Sequence, residues 1–316
     1  MRLRYCLLVS LVLLAACGRE ADDAAQSETK ARAERAARLA YEGEILAWRD
    51  QRVARLTRPD GWLSLVGLHW ITPGATYVGA AQDNGTRLAI GPPQVGMVSL
   101  SDEGALTLRI APDAEVTING EPASGTVALL ADSQEGGPTV VGFNRGDASF
   151  VVIERVGRFG LRVRSALAPT RTGFPGLDYF DIDPAFRFTA RFQAHPPGKT
   201  LEIINVLGMV EPMANPGWVE FDKDGKTFRM EAVDEGDGQL FFIFADRTSG
   251  HATYAAARFV YAQPAGKDGT TTLDFNTAYN PPCAFVAYST CPMPPPENRL
   301  DLAVTAGEKK PRPFPE

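Results

Sequence analysis

The pattern of apolar and polar positions divides the chain into an apolar leader, a helical segment and a long β-rich body. Over residues 28–58 apolar side chains recur at helical spacing, as at Tyr41 and Ile45, which predicts an amphipathic helix. Pro59 ends this pattern. Beyond it, short apolar segments are separated by Gly, Pro, Asn and Asp, which is typical of strands joined by turns.

Two segments of the body, residues 159–164 and 186–193, alternate between apolar and polar side chains. In the first, Arg162 and Arg164 alternate with aromatic and aliphatic residues, so the predicted strand has one apolar face and one basic face. We expect the apolar face to be buried and the basic face to meet solvent.

Two further segments predict specific strand environments. Residues 218–233 have Asp224-Gly225 at their middle, a pair that accepts the positive φ angles of a type I′ turn, so we expect a hairpin there. Residues 240–244, LFFIF, are apolar without alternation, which predicts a strand that is covered on both faces.

These elements predict a mainly β fold, because strands outnumber helices and no βαβ rhythm appears. We expect a small β-sandwich over residues 59–155, whose layout resembles that of a forkhead-associated domain. The resemblance extends to layout alone, since the serine and histidine with which such domains bind phosphothreonine are not recognisable. Residues 156–316 are expected to form a C-terminal antiparallel β-sandwich or barrel.

The leader reads as a secretory signal peptide over residues 1–16, with two arginines, a short apolar stretch and small residues at its end. The apolar stretch is too short for a transmembrane helix. The following Leu14-Ala15-Ala16-Cys17 resembles the bacterial lipobox, which implies that Cys17 is lipidated and that residues 17–27 are a polar tether. The resemblance implies a lipid anchor in the outer membrane, facing the periplasm. The alternative is a plain signal peptide with an incidental cysteine.

The net charge of the chain limits the classes of partner that it is expected to bind. Loss of the leader would remove Arg2 and Arg4 and leave 30 basic against 38 acidic side chains, a net charge of about −8. An acidic body without a basic stripe is not typical of a nucleic-acid-binding protein. The three histidines are far apart in sequence and never at ligand spacing, so we expect no histidine-based metal site.

The C-terminal segment carries the most distinctive motifs. Residues 279–309 contain YNPPCAF, a second Cys-Pro, PPPENRL and AGEK. With GWLSLVGLHW at residues 61–70, these motifs resemble the uncharacterised bacterial family known as domain of unknown function 1684. The resemblance names a fold group and implies no activity, cofactor or protein partner. The prolines of residues 292–296 predict a stiff extended strap.

Two functions are compatible with this segment. The first is binding of a small polar or anionic ligand in a pocket of the C-terminal β domain, where arginines could clamp a carboxylate or phosphate. The residues expected to line this pocket are Asp246, Arg258, Asn276, Tyr279, Asn280, Glu297, Asn298 and Arg299. The second is a hydrolase or thiol-dependent enzyme. We favour binding, because no standard catalytic motif occurs.

The roles of the two C-terminal cysteines remain open at this point. Cys283 and Cys291 are separated by seven residues and would form an even pair in an oxidising compartment, which favours a structural disulfide. In the enzyme alternative, one of them is the nucleophile, Glu297 is the acid or base and Arg299 holds the developing anion. Glu297 and Arg299 are also compatible with an ion pair that pins the strap to the body.

Overall fold

The computed structural model describes the backbone of residues 5–314 and the side chains of residues 26–314. The chain divides into two compact units, Met1–Asp50 and Gln51–Glu316. The side chains of the predicted signal peptide and of Cys17 lie outside the described residues, so processing and lipidation stay predictions.

One long helix, α1, occupies Tyr5–Thr57. It includes all but the last residue of the helix predicted over residues 28–58 and ends two residues before Pro59. Residues 17–27, predicted to be a tether, are also helical, and their alanines are strong helix formers. No helix in the described part of the chain is both long enough and apolar enough to cross a membrane.

The first half of the body is a sandwich of two sheets. Its strands are β1 Leu65–Trp70, β2 Gly74–Gly79, β3 Thr86–Arg87, β4 Gly96–Leu100, β5 Leu106–Ile110, β6 Val116–Ile118, β7 Glu121–Ala123, β8 Thr126–Leu129, β9 Val140–Phe143, β10 Ala148–Arg155 and β11 Arg158–Ser165. The six-stranded sheet has the order β1-β11-β10-β9-β6-β7, and the five-stranded sheet has the order β3-β2-β4-β5-β8. Val98, Leu108, Phe150 and Leu161 are among the buried residues of the core that the sandwich encloses.

The sandwich continues past the predicted boundary at residue 155. Strand β11 pairs antiparallel with both β10 and β1, and Arg162 lies opposite Val151 on one side and Leu68 on the other. The sheet pair therefore ends at Ser165 rather than at residue 155, because the turn between β10 and β11 joins two neighbouring strands of one sheet.

The second half is a single curled sheet. Its strands are β12 Arg187–Ala194, β13 Thr200–Ile204, β14 Val210–Lys223, β15 Lys226–Asp234, β16 Leu240–Phe244, β17 Arg258–Ala262 and β18 Thr270–Asp274. The order is β17-β16-β15-β14-β12-β18, with β13 paired to β14. Since β17 and β18 at the two ends of this order lie against each other, the sheet curls around an aromatic core that includes Phe221, Phe242 and Phe275. The mainly β, antiparallel fold class is confirmed.

Both specific strand predictions for this sheet are confirmed. Lys223 pairs with Lys226 across the β14–β15 hairpin, and Asp224 and Gly225 between them have φ angles of 52° and 75°. All five residues of β16 are buried, as expected of a strand that is covered on both faces.

The C-terminal segment after β18 has little regular structure and is fixed to the sheet by backbone hydrogen bonds. The proline strap runs beside β13, where the Cys291 carbonyl accepts from the amide of Val206 at 2.9 Å and the Met293 amide donates to Ile204 at 2.8 Å. The backbone of Cys291 is therefore held firmly on the edge of the second sheet.

Candidate functional site

The predicted pocket residues Asp246 and Arg258 lie together inside the second sheet, where they form a closed network. Arg258 is 1% exposed, and its guanidinium donates to the carbonyls of Val304 and Ala306 at 2.9 and 2.5 Å. It also lies 3.3 Å from the Asp246 carboxylate, which accepts from the Val304 amide at 2.7 Å. Burial lowers the pKa of Arg258, and the Asp246 carboxylate opposes this effect. This arginine is thus a structural clamp on the C-terminal segment.

Tyr279 and Asn280 belong to a neighbouring buried network. The fully buried carboxylate of Glu308 accepts from Arg52 Nε and from the Asn280 amide, both at 2.8 Å. Arg52 also lies over the Tyr279 ring at 4.5 Å, and burial raises the pKa of Tyr279 to about 12. Residues of the YNPP and AGEK motifs are therefore held to each other and to Arg52.

The remaining predicted pocket residues are separate from these networks. Asn276 is buried, and its side chain bonds the backbone N–H and carbonyl of Asp183 at 2.9 and 2.8 Å. Asn298 is buried as well: it donates to the carbonyls of Glu231 and Ile243 and accepts from the Glu231 amide at 2.7 Å.

Glu297 and Arg299 are exposed on the strap, on either side of the buried Asn298. Among the described residues neither makes an ion pair. The eight predicted residues therefore do not line one open cleft. Most hold the C-terminal segment in place through buried hydrogen bonds. Sequence spacing could not show this, because it does not tell which polar groups are buried against each other.

A different arginine has the properties of a ligand site. Arg162 on β11 is 4% exposed, although the sequence predicted that its face would meet solvent. Its only hydrogen bond among the described residues is from Nη2 to Thr290 Oγ1, at 3.3 Å. Its Nε is enclosed without a partner, and its guanidinium carbon lies 5.5 Å from the centre of the Trp62 ring. The basic face is covered because the cysteine-containing loop of the second half folds over it.

Among the described residues no carboxylate forms an ion pair with Arg162. Asp132, a carboxylate whose charge acts on Arg162, is paired with Arg155 at 2.9 Å. Burial, with a smaller effect from Arg155, lowers the pKa of Arg162 to about 10, so the side chain remains a cation at neutral pH.

Arg164, two residues along the same face, strengthens this positive region. Its Nε is also enclosed without a partner, and burial lowers its pKa. Asp60 is the carboxylate that acts on it, and Asp60 is already held by two hydrogen bonds from Arg58 at 2.9 Å.

We call the region formed by Trp62, Arg162, Arg164, Thr290 and Cys291 the arginine seam.

Cys291, which belongs to the seam, and Cys283 next to it are free thiols. The Cys283 amide donates to Cys291 Sγ at 3.1 Å, and Cys291 Sγ lies 3.4 Å from Ser289 Oγ. The hydrogen bond between the two thiols, aided by Ser289, the Cys283 amide and the positive charge of Arg162, lowers the pKa of Cys291 to about 7. The same bond between the thiols, together with burial, raises the pKa of Cys283. The predicted disulfide is thus a close pair of thiols in this structure.

Sequence reasoning missed Arg162 as a site residue, although it recognised the basic strand face. The alternation of Arg162 and Arg164 was the available signal. It could not show that Thr290, far along the chain, would cover that face. Among the described residues no group of three or more His, Cys, Asp or Glu side chains could hold a metal ion.

The fold and the seam define a mainly β protein in which a two-sheet sandwich and a curled sheet meet at a buried, uncompensated arginine. Residues 172–309 match the family described as "Protein of unknown function (DUF1684)", so this part of the chain resembles that family. This range contains both cysteines and Thr290, whereas Arg162 lies just before it.

One solved structure with similarity is the solution NMR structure of an uncharacterized protein from Haloarcula marismortui, with 34% sequence identity and a TM-score of 0.37. The match covers 44% of this chain and 78% of that one. No curated protein matches this chain.

Proposed function

We propose that this protein is a lipid-anchored envelope lipoprotein that binds a small anion, a carboxylate or phosphate group, at the arginine seam. The proposal keeps the anionic ligand expected from the sequence but moves its site from the interior of the curled sheet to Arg162.

The observation that carries the proposal is the difference between two buried arginines. Arg258 is compensated by a carboxylate and by carbonyls, whereas Arg162 has one hydroxyl partner. Burying a cation without a partner costs several kcal/mol, so such groups are retained mainly where function requires them. A planar guanidinium fits an oxyanion bidentately, which would supply the missing acceptor atoms.

The remaining exposure of Arg162 indicates where an anion would enter. Its Nε is enclosed and its Nη2 is bonded to Thr290, while Nη1 has no partner among the described residues and is not among the enclosed atoms. An oxyanion that approaches from the side of Trp62, itself 37% exposed, would meet Nη1 first. Arg164 adds positive charge on the same face, in a body that is acidic overall.

The test is calorimetric titration of the processed chain with inorganic phosphate and, separately, with citrate. Arg162→Lys keeps the charge but removes the bidentate fork, so the affinity should fall by about tenfold or more. Arg158→Lys is the matched control, because it lies on the same strand face about 13 Å away and should leave the affinity unchanged. Absence of binding by the wild-type chain, or equal loss in both variants, would contradict the site.

The anchor is tested independently of the ligand. Replacing Cys17 with Ser removes the acceptor for lipid, so the protein should move from the membrane fraction to the soluble periplasmic fraction after cell lysis. The matched control is Cys291→Ser, which should stay with membranes. A Cys17→Ser protein that still fractionates with membranes would rule out lipid anchoring at this residue.

A further inference from the structure

The positions of the Cys283 and Cys291 thiols at the arginine seam are compatible with reversible thiol–disulfide exchange. Cys283 is half-buried and Cys291 is 4% exposed, so a reagent from solvent reaches the sulfur of Cys283 first. The backbone of Cys291 is held by its bond to Val206, and its sulfur contacts the amide of Cys283 and the hydroxyl of Ser289. Arg162, which bonds the neighbouring Thr290 at 3.3 Å, adds positive charge that acts on this sulfur.

These surroundings favour one sulfur as the leaving group of a disulfide. The Cys283 amide, the Ser289 hydroxyl and the Arg162 guanidinium all stabilise negative charge on Cys291. On Cys283 the same amide and the Tyr254 hydroxyl act in this direction, but the contact with Cys291 and burial outweigh them and raise its pKa. The phenol of Tyr254 is held nearby by its bond to the Cys283 carbonyl at 3.1 Å. A disulfide whose buried sulfur departs as a stabilised thiolate is readily exchanged.

We propose that Cys283 and Cys291 are a redox-active pair that exchanges between dithiol and disulfide, and that the Cys291 thiolate of the reduced form competes with external anions for Arg162. This second part rests on the proposed function of the seam. Reduction would place a negative charge of the protein's own beside Arg162, and oxidation would remove that charge, so the disulfide form is the one that binds anions tightly.

The exchange balances with low-molecular-weight thiols as the reductant. A thiolate attacks Sγ of Cys283, the protein S–S bond breaks, and its electron pair stays on Cys291 as thiolate. A second thiolate attacks the external sulfur of the mixed disulfide, which releases Cys283. Two external thiols become one disulfide, the protein gains two electrons, and their two protons pass to the protein thiols or to solvent. Oxidation by a small disulfide is the reverse.

The first arm of the test measures the thiol pair alone. The processed chain with Cys17→Ser is equilibrated in glutathione buffers of varied ratio, and its free thiols are alkylated and counted by mass spectrometry. We expect both thiols to appear and disappear together in one two-electron transition. A pair that stays fully reduced or fully oxidised across the range, or thiols that react singly, would overturn the redox proposal.

The second arm measures coupling to the seam, with inorganic phosphate as the probe. We expect the oxidised form to bind phosphate about tenfold more tightly than the reduced form, within the usual range of site–site coupling. By linkage, saturating phosphate should then stabilise the disulfide and lower the midpoint potential by about 30 mV. Arg162→Met should abolish this shift, whereas Arg158→Lys should preserve it.

The outcomes separate the two proposals. Equal phosphate affinity in both redox forms would overturn the coupling and leave the anion site intact. Absence of phosphate binding in both forms would overturn the anion site and the coupling, and the glutathione titration would still decide whether the thiols are redox-active.

Discussion

At the residue scale, the buried charged residues of this protein differ in whether they have a partner of opposite charge. Arg258 and Arg52 are buried, but each is paired with a buried carboxylate, Asp246 and Glu308 respectively, although Arg258 Nε has no hydrogen-bond partner. Arg162 is buried with a single weak partner, which is costly for the folded state. This contrast could not be predicted from the sequence, where Arg162 looks like a solvent-facing residue on an alternating strand.

The contrast predicts opposite effects of the same substitution. Arg162→Met replaces an uncompensated cation with an apolar side chain of similar length, so the free energy of unfolding of the ligand-free protein should rise by about 1–4 kcal/mol. Arg258→Met leaves Asp246 buried without its cation and should lower it by about 3–5 kcal/mol.

Both changes in the free energy of unfolding are to be measured by denaturant unfolding of the processed chain without added anion. The slope of the free energy of unfolding against denaturant concentration should be similar in the two variants, so that a shift in the midpoint of unfolding reports a change in stability. An Arg162→Met protein that is less stable than wild type by more than about 1 kcal/mol would mean that Arg162 is a structural residue like Arg258.

At the scale of elements, the proline strap is fixed by backbone hydrogen bonds and by the side chain of Asn298 rather than by its charges. Asn298 joins it to β15 and β16 through three hydrogen bonds, whereas its neighbours Glu297 and Arg299 are exposed. The strap itself could be predicted from its prolines. The role of Asn298 could not, because its partners come from strands more than 50 residues upstream.

Asn298→Ala should therefore be costly although it removes little volume. It leaves the Glu231 amide and two buried carbonyls without partners, so we expect a loss of about 2 kcal/mol or more in the free energy of unfolding. Hydrogen exchange at the Glu231 amide should also accelerate. Arg299→Ala is the adjacent control and should change stability by less than about 0.5 kcal/mol. Similar losses in both variants would remove the special role of Asn298.

At the scale of the whole molecule, the local patterns predicted the elements better than their assembly. The β14–β15 hairpin and the buried β16 were predictable, because turn chemistry and apolar runs act over a few residues. The end of the sandwich at Ser165 and the covering of Arg162 by the cysteine loop depend on contacts between distant segments. The seam arises from that assembly, since β11 supplies Arg162 and the C-terminal segment supplies Thr290 and Cys291.

Titration of the oxidised Arg162→Met protein with inorganic phosphate, beside wild type and Arg158→Lys, tests the central claim most directly. We predict that wild type and Arg158→Lys bind phosphate, and that Arg162→Met does not bind it although it unfolds at a higher denaturant concentration. Phosphate binding by Arg162→Met with unchanged affinity would contradict the assignment of the anion site to Arg162.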